Sequence, residues 1–168
     1  MDLGEILKAH SEWLEGCGGE CADLRNADLR NADLRNANLS EADLRNANLS
    51  GTKNLLSSID YMKEHFEKTA DGFIAYKCFA WRYQPPEGCV IQSRSIISEN
   101  LNANRTDPCG CGINVATLEW VRKTYPTSKI WRVLIRWEWL CGVCVPYNTG
   151  GKIRCERVEL LEELGGEQ

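Results

Sequence analysis

The sequence predicts a short solenoid followed by a separate α+β domain, and three observations carry that prediction. A five-residue unit is written six times between Ala22 and Gly51. Its period fits neither the ~3.6 of a helix nor the ~2 of a strand, so the backbone has to turn a corner in every unit. Composition then changes near Asp71: residues 1–70 hold one Trp and no Pro, whereas 71–168 hold five of each. The second part also carries strand-like runs, the sharpest of them alternating from Lys129 to Trp139.

The units run Ala22-Asp-Leu-Arg-Asn, Ala27-Asp-Leu-Arg-Asn, Ala32-Asp-Leu-Arg-Asn, Ala37-Asn-Leu-Ser-Glu, Ala42-Asp-Leu-Arg-Asn and Ala47-Asn-Leu-Ser-Gly. Leu24, Leu29, Leu34, Leu39, Leu44 and Leu49 are expected to form an inner column, with the small alanines beside them. The Asp/Asn, Arg/Ser and Asn/Glu positions face water. The stretch resembles the pentapeptide-repeat family. That resemblance implies a short right-handed quadrilateral β-helix, one unit per side and four per coil, so about one and a half coils. Each residue then lies over the one twenty positions on, at about the ~4.8 Å strand spacing. Asp23 falls over Asp43 and Arg25 over Arg45, which is tolerable only on a solvated face.

So short a solenoid needs caps. In residues 1–21, Leu3, Ile6, Leu7, Trp13 and Leu14 share one helical stripe that includes His10, and Gly16, Gly18 and Gly19 end it. An N-terminal capping helix is expected, with His10 packed or capping. Residues 52–70 repeat the pattern with Leu55, Ile59, Met62 and Phe66, predicting a second capping or linker helix. Residues 71–168 form the Trp-rich α+β domain: strands at Phe73–Tyr83 and Cys89–Ile97, a polar loop at 98–112, a helix at Ala116–Tyr125, and a strand at Lys129–Trp139. Trp131, Val133, Ile135, Trp137 and Trp139 should face the core, and Arg132, Leu134, Arg136 and Glu138 the wetter side. A strand at Cys141–Tyr147, a turn at Asn148–Gly151 and a strand from Lys152 that finishes as a short helix near Leu164 complete it.

The formal net charge is −4, and the repeat itself carries five acids and four bases. A DNA duplex presents about one charge per ~1.7 Å, so imitation of DNA is not expected of it. No apolar run approaches the ~18 residues of a membrane span, and the N-terminus carries acids in place of a basic leader. A cytoplasmic protein without membrane attachment is expected. The nine cysteines are an odd number, which favours reduced and mostly buried thiols.

Three features of the second domain could carry chemistry. Cys109, Cys111, Cys141 and Cys144 supply the four thiols of a structural zinc, although packing explains them as well, and no cofactor is expected. Trp81, Arg82 and Tyr83 with Arg132 and Arg136 could stack on nucleic acid, but the domain is close to neutral and nucleic acid is not the expected partner. The junction from Arg105 to Thr117, leading to Tyr125, resembles a segment of ADP-ribosyltransferases. That likeness implies an NAD-binding split sheet with Tyr76, Thr117 and Glu159 as catalytic residues; Asn114, and Trp120 or Val121, depart from its pattern.

The inventory holds two His and no P-loop, nucleophile elbow or paired-carboxylate motif, so a non-catalytic binding protein is the expectation. Short capped pentapeptide arrays resemble phage and prophage proteins. This likeness implies a factor that docks on a host protein or complex and inhibits it, with a DNA-processing or nucleic-acid-guided defence enzyme as target class. The contact surface would be Asp23, Arg25, Asp28, Arg30, Asp33, Arg35, Asp43 and Arg45, or Arg105, Thr106 and Asp107 in the polar loop. Pairing through solenoid ends would give a homodimer unless the Trp13 helix occupies that end. An ADP-ribosyltransferase-like enzyme and a purely structural repeat protein stand as alternatives.

Overall fold

The computed structural model describes residues 2–79, 88 and 90–165. The expected Trp81, Arg82 and Tyr83 cluster and the turn at Pro85-Pro86 lie outside them. The chain forms two compact units, one of residues 1–57, 104–109 and 146–150, the other of 58–103, 110–145 and 151–168. The first unit thus closes at Ser57, earlier than the composition change near Asp71 implies, and takes back two short segments from later in the chain.

In the first unit, parallel bridges join Asp23 to Asp43, Asp28 to Asn48 and Asp33 to Lys53, each pair twenty residues apart. One turn of the coil therefore takes four five-residue units. Successive turns are hydrogen-bonded directly: Leu24 N–H donates to Asp43 O at 2.8 Å, and Asp43 N–H donates back to Ala22 O at 2.9 Å. Leu24, Leu29, Leu34, Leu39 and Leu44 are buried together with Ala22 and Ala42, the expected inner column. The corners have a uniform cause. Asn26, Asn31, Asn36, Glu41, Asn46 and Gly51, the last residue of each unit, all have φ between 57° and 71°. Asn and Gly adopt this left-handed region at least cost. The following residue, alanine at five corners and Thr52 at the sixth, closes each one, as Ala27 N–H donates to Leu24 O at 3.1 Å, a four-residue turn with positive φ at its third position.

Helix α1, Leu3–Leu14, packs Leu3, Ile6 and Leu7 against the leucine column. His10 is fully buried and its Nδ1 accepts from Ala22 N–H at 3.1 Å, so it caps the first coil. Trp13, expected on the buried stripe, is 40 % exposed and stacks on His10.

The second unit holds helix α2 (Ser58–His65), helix α3 (Leu118–Thr124) and an eight-stranded antiparallel sheet. Its strands are β1 (Glu67–Lys68), β2 (Gly72–Cys78), β3 (Ile96–Ser98), β4 (Ile113–Ala116), β5 (Ile130–Arg136), β6 (Val143–Cys144), β7 (Lys152–Cys155) and β8 (Arg157–Leu164). The order is β3-β8-β5-β2-β4-β7-β6, with β1 on β2. Only Glu156 separates β7 from β8, although β5, β2 and β4 lie between them in the sheet. The sheet must therefore curl on itself, and both backbone groups of Glu156 are bonded at the bend, to Gly142 O and from Glu99 N–H.

Several expectations need correction. The helix expected over 52–70 is α2 alone: Leu55 packs on the leucine column, Met62 is buried and Ile59 is 42 % exposed. Of the strand expected at Cys89–Ile97, Cys89 lies outside the described residues and the rest gives only β3. The alternating strand stops at Arg136, and Trp137 and Trp139 sit in a 3-10 turn over Trp137–Gly142. Leu134 is buried like Val133 and Ile135, and α3 covers the Ile130 end of that face through Cys78, Ala116, Val121 and Ile130. The strand expected over Cys141–Tyr147 is only β6. The stretch expected to end as a helix at Leu164 stays extended, held by pairing of Ile130 with Leu164 and Arg132 with Glu162. None of the described cysteines is in a disulfide, but Cys17, Cys21, Cys109, Cys111 and Cys141 are exposed, against the expectation that most are buried.

Candidate functional site

The repeat places the same charged pair on successive units, and the backbone explains why. In each unit the second residue accepts from the amide two positions on: Asp23 Oδ1 from Arg25 N–H at 3.2 Å, Asp28 from Arg30 at 3.2 Å, and Asn38 from Ser40 at 3.0 Å. This side-chain turn starts every corner, so Asp or Asn is needed there whatever the surface does. The Arg is not needed for the turn, since Ser40 and Ser50 hold the same position.

Where Arg is present it folds back on its own Asp. Arg25 reaches Asp23 through Nε at 2.8 Å and NH2 at 2.5 Å, and Arg30 reaches Asp28 at 2.8 and 2.6 Å. Arg45 grips Asp43 in the same forked way. The Arg35 pair with Asp33 is looser at 3.5 Å, because Asn54 Nδ2 takes Asp33 Oδ1 at 2.5 Å. Between turns, Arg25 Nε lies 3.6 Å from Asp43 Oδ2, so the stacked row alternates in sign instead of setting like charges face to face. Hydrogen bonds from the Arg25 and Arg30 side chains, then from their amides, hold the Asp23 and Asp28 carboxyls down at about 2. Asn54 chiefly lowers Asp33, and Arg45 lowers Asp43. All eight expected contact residues therefore stand on the coil exterior as internally neutral pairs, three of them forked and the Asp33–Arg35 pair looser.

The fourth row, Ala37–Glu41, has Asn38 and Ser40 in place of Asp and Arg, and it is the row that the returning segment 146–150 covers. Glu41 N–H donates to Asn148 O at 3.0 Å, Ser40 Oγ to Thr149 O at 3.2 Å, and Asn148 Nδ2 to Ala42 O at 2.6 Å. Tyr147 packs on the leucine column. Arg105 is the clamp for this segment. Its guanidinium lies 4.0 Å from the Tyr147 ring centre and donates to Leu56 O at 2.5 Å, while Arg105 O accepts from Tyr147 N–H at 2.9 Å. Thr106 and Asp107 close a turn on Asn104, whose Oδ1 accepts from both Thr106 N–H and Thr106 Oγ1 and whose Nδ2 donates to Asp107. The three polar-loop residues expected to bind a partner hold the loop together.

In the second unit Tyr76, Thr117 and Glu159 do not converge. Thr117 caps α3 by accepting from Trp120 N–H at 3.3 Å. Strand β5 separates Tyr76 on β2 from Glu159 on β8, about two strand spacings or ~9–10 Å. The Glu159 carboxylate is nearly buried and is held by Arg136, whose guanidinium lies 5.7 Å from the Trp139 ring centre. Arg132, the other basic residue of the nucleic-acid reading, pairs with Glu67 and Glu162. The four candidate zinc thiols do not assemble either. Cys144 is buried beside Arg154 NH2 at 3.1 Å, and among the described residues no group of three or more His, Cys, Asp and Glu is placed to hold a metal. Arg154 itself is fully buried and bonds Asn102 O at 3.1 Å, anchoring one end of the long loop.

Two features were missed from sequence. One is Lys77, whose Nζ donates to Asn114 O at 3.2 Å in a mostly apolar setting, and which burial pulls down to about 8. The other is the Tyr147-Asn148 pair, which leaves no specific trace, since the Asn-Ser exchange of the fourth unit recurs in the uncovered sixth at Asn48 and Ser50. The family model of pentapeptide repeats matches residues 21–53 in eight copies, so the coil carries the repeat of that family. No curated protein and no solved structure matches the chain.

Proposed function

We propose that the chain is a non-catalytic binding protein that docks on a protein partner through the Asp–Arg rows of its coil. We read the coil as right-handed and four-sided, as the repeat family implies. The carrying observation is that forked ion pairs stand at Asp23–Arg25, Asp28–Arg30 and Asp43–Arg45, with the looser Asp33–Arg35 pair, each beside a corner of the same backbone geometry. Side chains already held in one geometry lose little freedom on association, which favours a specific contact. Because each pair is neutral within itself, recognition would work by shape and alternating charge instead of by attraction to one sign. The first targets to try are host DNA-processing and nucleic-acid-guided defence enzymes, the class that the likeness to phage-borne repeat proteins suggests.

The second reading is a structural repeat with no partner, favoured by the fact that the same pairs already satisfy one another. Changing Arg25, Arg30, Arg35 and Arg45 to Ser separates the two, since Ser occupies that position at 40 and 50 and leaves the turn acceptor in place. Crosslinking to purified candidate enzymes should trap a partner with the unmodified chain and lose it with this variant at unchanged melting temperature. Equal trapping by both, or by neither, removes the docking surface.

A further inference from the structure

We propose that His10 makes α1 a pH-sensitive cap: protonation at Nδ1 removes the acceptor for the Ala22 amide and releases the helix from the first coil. The imidazole is 0 % exposed and its Nδ1 accepts from Ala22 N–H at 3.1 Å. In that bonding pattern the neutral ring carries its proton on Nε2. A second proton can go only to Nδ1, where it turns an acceptor into a donor facing a donor. Nε2 is buried without a well-formed hydrogen bond, and the Ser40 backbone near the ring favours the charged form less than burial disfavours it, so protonation is not offset.

The surroundings offer little compensation. Charged and titratable groups on α1 are Glu5, Lys8 and Glu12, and those of the adjoining coil are Cys21, Asp23, Glu41 and Asp43. None of them is among the influences on the ring, which are burial, lowering its pKa, and the backbone of Ser40, which opposes this more weakly. Trp13 stacks at 5.7 Å and is uncharged. A histidine whose folded pKa is lowered supports the fold fully above the unfolded value near ~6.5 and loses that support as pH falls through the folded value. The Asp23 and Asp28 carboxylates do not act in this window, because they stay ionised to about 2.

The test is amide exchange by NMR on the full chain between pH 7.5 and pH 5, corrected for intrinsic rates. Protection of the Leu7–Trp13 and Ala22 amides should fall by up to about tenfold per pH unit between the unfolded value near ~6.5 and the lowered folded value, and level off below it. The variant His10→Asn, whose Oδ1 can accept from Ala22 but does not titrate, should keep the protection at pH 5. Constant protection in the unmodified chain, or an equal fall in His10→Asn, overturns the proposal. If His10→Asn fails to hold the cap even at pH 7.5, direct titration of the His10 ring decides: a pKa clearly below ~6.5 sustains the proposal and one at or above it ends it.

Discussion

The amide of Glu41 donates to the carbonyl of Asn148 at 3.0 Å, in the position that continuation of the coil would have given to Asp60. The equivalent donors in the first two rows, Asn26 and Asn31, bond Arg45 and Ser50 of the next turn. Tyr147 then takes the inward place of Ile59, which α2 carries off and leaves exposed. A segment from the β6–β7 connection thus completes a coil that the repeat itself leaves unfinished. Tyr147→Ala should therefore destabilise the first unit by roughly 2 kcal/mol, less than the ~3–5 for a fully buried aromatic because Tyr147 is half-buried. Asn148→Ala, which strips Ala42 O of its donor, should cost about 1–2 kcal/mol. Urea unfolding followed at resolved first-unit amides measures both, and a loss under ~0.5 kcal/mol for each would show the segment to be dispensable.

The repeat announced its own coil, and the reason is physical: a leucine column, a turn-forming Asp or Asn and a left-handed Asn recur in each unit, so local sequence and tertiary contact agree. The completing segment was hidden because the contact that defines Tyr147 and Asn148 is long-range. In the second unit, local propensity misled where pairing overrode it. Glu159-Leu-Leu-Glu-Glu-Leu164 is rich in helix formers, yet β5 holds it extended with a shift of register next to Val133. Trp137 and Trp139 continue the alternation of β5 in sequence, but Trp137 Nε1 donates to Ala70 O at 2.6 Å and the chain has already turned. The candidate site was legible as a set of exposed residues; that its charges are mutually satisfied was not, because period alone does not fix where an Arg folds.

Glu41 is the one non-Asn, non-Gly residue among the six unit corners, at φ 65°. Left-handed backbone costs most residues about 1–2 kcal/mol and Asn or Gly less. Glu41→Asn should raise stability by about 0.5–1 kcal/mol, since the amide bond to Asn148 is unaffected. Asn31→Ala should lower it by about 1 kcal/mol. A shift of the urea midpoint at constant slope in those two directions is the expected result, and shifts of the same sign would refute the corner argument.

Acid should leave the coil exterior intact well below the ordinary carboxylate range. The Asp23 and Asp28 carboxyls are depressed to about 2 by their arginines, so their support is complete above the unfolded value near ~3.9 and is lost as pH falls through the folded one. Carboxyl-carbon NMR titration should place both near 2, and Arg30→Ser should raise the Asp28 value towards ~3.9 while leaving Asp23 in place. A common value close to ~3.9 for both would mean that the forked pairs do not persist in solution.

Lys77 sets the last expectation, at the alkaline end. Its ammonium is part-buried beside β4, bonds Asn114 O and lies 5.0 Å from the Phe79 ring centre, and loss of hydration lowers it to about 8 against the weaker opposing influence of Cys78 and Cys155. Between about 8 and the unfolded value near ~10.4 the unfolded chain binds the extra proton, so stability should rise with pH across that window. Lys77→Met removes the charge while keeping the volume. It should stabilise the second unit at pH 7 by about 1–3 kcal/mol, the relief of burying a cation less the lost bond to Asn114 O, and it should abolish the rise above pH 8. If Lys77→Met instead destabilises at pH 7 and the rise persists, the ammonium is hydrated in solution and the burial argument fails.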